Sequence, residues 1–117
     1  MALRGRHYDL EDRTLQFSKQ IIRFVNGLPK SIPNTEISKQ LIRSAGSVGA
    51  NYIEANEALG KKDFVMRVRI ARKEAKETRY WLELVGCSEE QATIRTSLVQ
   101  EATELLKILS AIITKSE

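Results

Sequence analysis

The stretch RSAGSVGANY, residues 43–52, places seven successive uncharged residues, Ser44 to Ala50, none larger than valine, inside what otherwise reads as a helix. At about 100° per residue these positions surround the helix axis, so no charged outer face remains there. Each glycine inside a helix costs about 1 kcal/mol relative to alanine, and Gly46 and Gly49 therefore call for a close approach of neighbouring backbones as an offset. A helix of a monomeric bundle normally turns one face to the core and a charged face to water. The segment predicts cover on two sides, the inner side by the rest of the chain and the outer side by another subunit. Ser44, Gly46, Ser47, Gly49 and Ala50 are the candidate oligomer interface. The alternative is a crowded monomer core with a serine-lined exposed strip.

Working outward, the spacing of apolar residues predicts four helices, at about 9–26, 35–59, 63–85 and 92–115. The first carries Leu10, Thr14, Phe17, Ile21, Phe24 and Leu28 in steps of four and three, with Asp9 as its N-cap. Gly27 and Pro29 stop it, the glycine by accepting the left-handed cap conformation. The second starts near Asn34 or Thr35 and runs through Ile37, Leu41, Ala45, Val48, Tyr52, Ala55 and Leu59 to Gly60. The third begins with Asp63 as cap and keeps Phe64, Val68, Ala71, Ala75, Thr78, Leu82 and Val85 in strict register. Ser88 with Gln91 resembles a capping box before a helix carrying Leu98, Ala102, Leu105, Leu109 and Ile112. No stretch alternates like a strand. Short loops between such helices predict one all-α domain over residues 1–117, an antiparallel up-down four-helix bundle.

Composition agrees with a folded helical domain: 42% hydrophobic, 29% charged and only two prolines in 117 residues. Cys87, the only cysteine, has no internal disulfide partner, and with the single histidine, His7, it makes no metal-ligand cluster. The N-terminal MALRGRHYDL has no apolar signal region, and no run reaches the roughly 18 apolar residues of a membrane span. These features lead us to expect a cytoplasmic protein without membrane association, cofactor or metal.

The charge is unevenly placed. Between residues 61 and 79, eight basic residues, Lys61, Lys62, Arg67, Arg69, Arg72, Lys73, Lys76 and Arg79, face only Asp63, Glu74 and Glu77, an excess of five against +4 for the whole chain. Arg69, Arg72, Lys73, Lys76 and Arg79 follow helical spacing beside the apolar seam, a stripe able to neutralise phosphates of RNA or DNA. Such a run can also be no more than a solvated face. No zinc finger, RNP motif or KH loop points to sequence-specific readout. If the second and third helices fold back about Gly60, positions whose numbers sum to about 120 face each other, which predicts the ion pairs Arg43–Glu77 and Glu54–Arg67. Asn51 and Asn56 are candidates for hydrogen bonds within or between subunits.

Catalysis finds no support in the residues. The pairs Glu54/Glu57, Glu74/Glu77 and Glu101/Glu104 have the spacing of di-iron carboxylate bundles, but the Glu-x-x-His elements such a site needs are missing. There is no glycine-rich phosphate loop, no histidine-paired nucleophile and no Arg-x4–6-His nuclease motif. Tyr80 and Trp81 in ETRYWLEL can stack on bases, although packing is the commoner use of adjacent aromatics on such a helix.

The segments QLIRSAGSVGANYIEA, KKDF and KEAKETRYWLEL, within a match from about Asp9 to Leu84, strongly resemble the bacterial 23S rRNA intervening-sequence proteins. That resemblance implies an antiparallel four-helix bundle forming a ring-shaped homopentamer, with no settled activity. It also implies kinship with the accessory proteins of diversity-generating retroelements, whose basic pentamers contact nucleic acid and a reverse transcriptase. One departure is Ala45-Gly46, where family members often carry a threonine near the second position. Two readings follow: a non-enzymatic ring that binds nucleic acid through the third helix, or a scaffold that presents a surface to another protein.

Overall fold

The computed structural model describes residues 2–117, with side chains described from Leu10 onward. It contains four helices, α1 (Ala2–Asn26), α2 (Ile32–Asn56), α3 (Lys61–Leu84) and α4 (Glu89–Ser116), and no strand among the described residues. The expected start at Asp9 is not seen, because α1 already runs through that position; His7 and the Asp9 side chain lie outside the described side chains.

The other helix ends follow from local chemistry. α2 begins earlier than expected because Ser31, and neither Asn34 nor Thr35, caps it: the Ser31 hydroxyl accepts from the Asn34 amide at 3.1 Å. Pro33 sits in the first turn, where its missing N–H removes a donor that has no helical partner anyway. α2 also ends at Asn56, three residues short of Leu59, which is fully exposed and contributes nothing to the core. α3 starts at Lys61 behind Gly60, so Asp63 lies in the first turn and favours the helix through its charge instead of capping it. α4 has the reciprocal capping box of Ser88 and Gln91. No glycine among the described residues has a positive φ, so the left-handed cap expected at Gly27 is absent. A Cβ on Gly27 would lie 2.9 Å from Nε2 of Gln91, the far end of a flexible side chain.

α1 packs on α2, α2 on α3, α3 on α4, and α4 returns to α1, while the diagonal pairs α1/α3 and α2/α4 do not meet. One continuous core results, with Phe17, Ile21, Leu41, Val48, Val68, Leu82, Leu105 and Leu109 fully buried. Burying each such side chain contributes roughly 1.5–3 kcal/mol before entropy is charged against it.

The small residues of α2 are explained by its two neighbours. A Cβ added to Gly49 would lie 2.9 Å from Thr14 Oγ1 and 3.2 Å from Thr14 Cβ, so α1 approaches α2 at that glycine. On the other side Ser44 is fully buried and its hydroxyl lies 2.8 Å from that of Thr78 on α3. Thr78 also has its helix's Glu74 carbonyl as acceptor at 2.8 Å, which leaves neither buried hydroxyl without a partner. Between α1 and α4, Arg13 makes a bidentate pair with Glu101 at 2.7 and 2.8 Å, and the hydrogen bond to that carboxylate raises the pKa of the guanidinium.

Asn34 joins both loops at one end of the molecule. Its side-chain N–H groups donate to Pro29 O at 2.9 Å and Gly86 O at 2.8 Å, and its Oδ1 accepts from the Gly86 amide at 3.0 Å. Arg95 adds a bond to the neighbouring Val85 carbonyl at 2.7 Å.

Two stability predictions follow from this packing. Gly46, whose added Cβ would meet nothing closer than Ser18 Oγ at 3.9 Å, should accept alanine with a gain of up to about 1 kcal/mol in urea unfolding, whereas Gly49→Ala should lose about 1–2 kcal/mol by crowding the buried Thr14. Asn34→Ala should cost about 2–3 kcal/mol in the same measurement, because it leaves the Gly86 amide and two carbonyls without their side-chain partner.

Candidate nucleic-acid interface

The basic residues of α3 do not all share one surroundings. Arg69, Arg72, Lys73, Lys76 and Arg79 line a shallow groove whose other wall is α4, through Leu106 and Ser110. Lys61 and Lys62 lie at the start of α3, beside Met66 and the end of α4. Arg67 points away from the groove, toward α2, where its Nη1 donates to Asn51 Oδ1 at 3.3 Å.

Within the groove, Arg69 pairs with the carboxylate of Glu117. Among the described residues, no carboxylate pairs with Arg72, Lys73, Lys76 or Arg79. The two arginines are instead aimed by hydroxyls of α4: Arg72 Nη1 donates to Ser110 Oγ at 3.4 Å and Arg79 Nη1 to Thr103 Oγ1 at 3.2 Å. Each guanidinium keeps its remaining N–H groups for an anion. Lys73 and Lys76 are exposed. The groove thus holds four cations that no carboxylate among the described residues pairs with.

Ser110 and Thr103 escaped the sequence reading. The two contacts share one register, but it is offset from the one that folding back about the α3–α4 loop predicts, so sequence spacing does not find them.

At the α2/α3 junction, Arg43 Nη2 lies 3.1 Å from Glu77 Oε1 and Arg43 Nη1 lies 3.3 Å from Glu74 Oε1. Glu74 is buried, so Arg43 supplies the countercharge its carboxylate needs. The expected Glu54–Arg67 pair does not form, because Arg67 turns to Asn51, one helical turn nearer along α2, while Glu54 is exposed. Asn51 itself donates back to Ser47 O at 2.9 Å, and Asn56 donates to Glu11 Oε2 on α1 at 2.8 Å. Beside Asn56, burial pushes the Tyr52 phenol above its usual pKa. The other carboxylates once compared with a di-iron set are engaged or exposed: Glu101 binds Arg13, Glu104 binds Gln100 and Lys107, and Glu57 faces solvent.

The candidate interface on α2 divides. Ser44 faces α3 and is closed to any other subunit, and Gly49 is packed on Thr14. Ser47 is half-buried, while Gly46 and Ala50 are exposed. They stand in a row with the exposed Ile42 and Ile53, and on α1 the exposed Leu15 and Ile22 flank Ser18, the neighbour of Gly46. The sequence reading missed these four larger residues because each looks like an isolated surface apolar residue until α1 and α2 are set side by side. No helix among the described residues is long and apolar enough to cross a membrane.

A profile of 23S rRNA-intervening sequence proteins matches residues 6–115. The chain is similar to a crystal structure from Bacteroides thetaiotaomicron, described as a protein of unknown function from the S23 ribosomal protein family. The two share 36% identity and a TM-score of 0.75, over 88% of this chain and 96% of that one. No functionally curated protein matches the chain. With residues 6–115 matched by the profile, and 88% of its length covered by a solved relative of 36% identity, the chain belongs to the 23S rRNA intervening-sequence protein family.

Proposed function

We propose that this protein is a non-enzymatic, cytoplasmic homo-oligomer that binds nucleic acid through the cationic groove between α3 and α4. The observation that carries this reading is the set of four cations, Arg72, Lys73, Lys76 and Arg79, with no carboxylate partner among the described residues and with both arginines oriented by α4 hydroxyls. A merely solvated face gains nothing from oriented guanidiniums, whereas a polyanion releases its counterions on meeting them.

The assembly is read as an antiparallel up-down bundle joined into a ring, a pentamer by the family resemblance. Partners across α2/α3, Arg43–Glu77 and Asn51–Arg67, fall in number on one helix as they rise on the other, which supports opposite directions. The exposed apolar row of Leu15, Ile22, Ile42 and Ile53, continued by Gly46 and Ala50, supplies a face for another subunit. Because α1/α2 and α3/α4 are opposite edges of the four-helix arrangement, subunits joined through the first leave the groove on the second open to a ligand.

Two measurements test this. Light scattering on a sizing column should give a pentamer mass for the wild type and a monomer for Ile42→Asp with Ile53→Asp; a wild-type monomer overturns the ring. Titration with labelled RNA and DNA should show binding that weakens steeply with salt. Each neutralised phosphate-contacting residue among Arg72, Lys73, Lys76 and Arg79 should lower the slope of log affinity against log salt by about 0.7–0.9. A slope unaffected by these changes, together with a protein partner retained after nuclease treatment, would shift the assignment to a protein scaffold.

A further inference from the structure

The fold divides the aromatic pair of ETRYWLEL. Trp81 is half-buried against the core, while Tyr80 remains 61% exposed. The Tyr80 ring is braced edge-on by Trp81, with centroids 5.1 Å apart and planes at 75°. Tyr80 follows Lys76 by four residues and Lys73 by seven, which places it on the same outward face, about one and two turns along. Neither the core nor any hydrogen bond among the described residues accounts for a large ring held there.

Building on the nucleic-acid reading above, we propose that the ligand is a single strand, with its backbone along the α3/α4 groove and a base stacked on Tyr80. Only an unpaired strand offers a base face to an exposed ring, since the bases of a duplex are stacked on one another. The ring's ordered position lowers the entropy lost on stacking. The cations form a single line on one helix, and that helix is flanked by α2 and α4, so no element projects to enter a duplex groove. Lys73, Lys76 and Arg79 hold phosphates, the hydroxyls of Ser110 and Thr103 position the arginines, and Tyr80 reads the presence of a base without its identity.

The test is fluorescence anisotropy of the full chain at one salt concentration with labelled oligo(rA), oligo(dA), a duplex and an abasic strand of equal length. Single strands should bind more tightly than the duplex or the abasic strand, and comparison of oligo(rA) with oligo(dA) ranks the two sugars. Tyr80→Ala should lower single-strand affinity about 5- to 100-fold, with the salt slope, the abasic-strand affinity and the solution mass unchanged. Tyr80→Phe should retain wild-type binding. Unchanged single-strand affinity in Tyr80→Ala, an equal loss on the abasic strand, or an altered mass overturns the stacking proposal and leaves the polyanion reading standing. Absence of salt-dependent binding to every probe overturns both.

Discussion

The arrangement depends on the close approach of α2 to both of its neighbours. Gly49 admits Thr14 of α1 on one side, and Ser44 meets Thr78 of α3 on the other. A larger side chain at either point would push one helix away, and the apolar layers beyond would lose contact. Because the diagonal pairs do not meet, α1 and α3 are joined through α2 on one side and α4 on the other. The small residues of α2 set the spacing on its side of the core. The cost of two mid-helix glycines becomes intelligible once their neighbours are seen, although Gly46, with open space around it, is explained only in part by α1.

The charge arrangement follows a different logic on each side of α3. Toward α2, Arg43 meets the carboxylates of Glu74 and Glu77, while Arg67 donates to the neutral amide of Asn51. Toward α4 the matching stops beyond Arg69, and serine and threonine stand where acidic residues would have neutralised the groove. Hydroxyls orient guanidiniums without cancelling their charge. A fold that needed only solubility would have no use for this distinction, since exposed cations remain solvated in any orientation.

Much of this was legible because helical periodicity is a local property. The α3 series Val68, Ala71, Ala75, Thr78 and Leu82 is buried throughout, as its four-three spacing requires. Leu59 kept the same spacing and is exposed, since the helix ends before it and spacing has no meaning beyond the last turn. The start of α2 is not fixed locally, because Ser31, Asn34 and Thr35 are all acceptable caps, and Asn34 is engaged instead with Gly86, 52 residues away. The size of Ser44 alone does not distinguish a partner helix from a partner subunit. The cationic stripe was visible as composition, but the α4 wall that turns it into a groove depends on tertiary register.

The Asn34 bridge has a consequence for the order in which the chain acquires its structure during synthesis. The first two helices leave the ribosome with the carboxamide of Asn34 bonded only to its own loop, through Pro29. Its other two bonds wait for Gly86. The nascent α1–α2 pair is thus unfinished at the end where its loop lies, and the arrival of the α3–α4 loop completes both turns in one step. Both loops therefore depend on one side chain, and it belongs to the half of the chain made first.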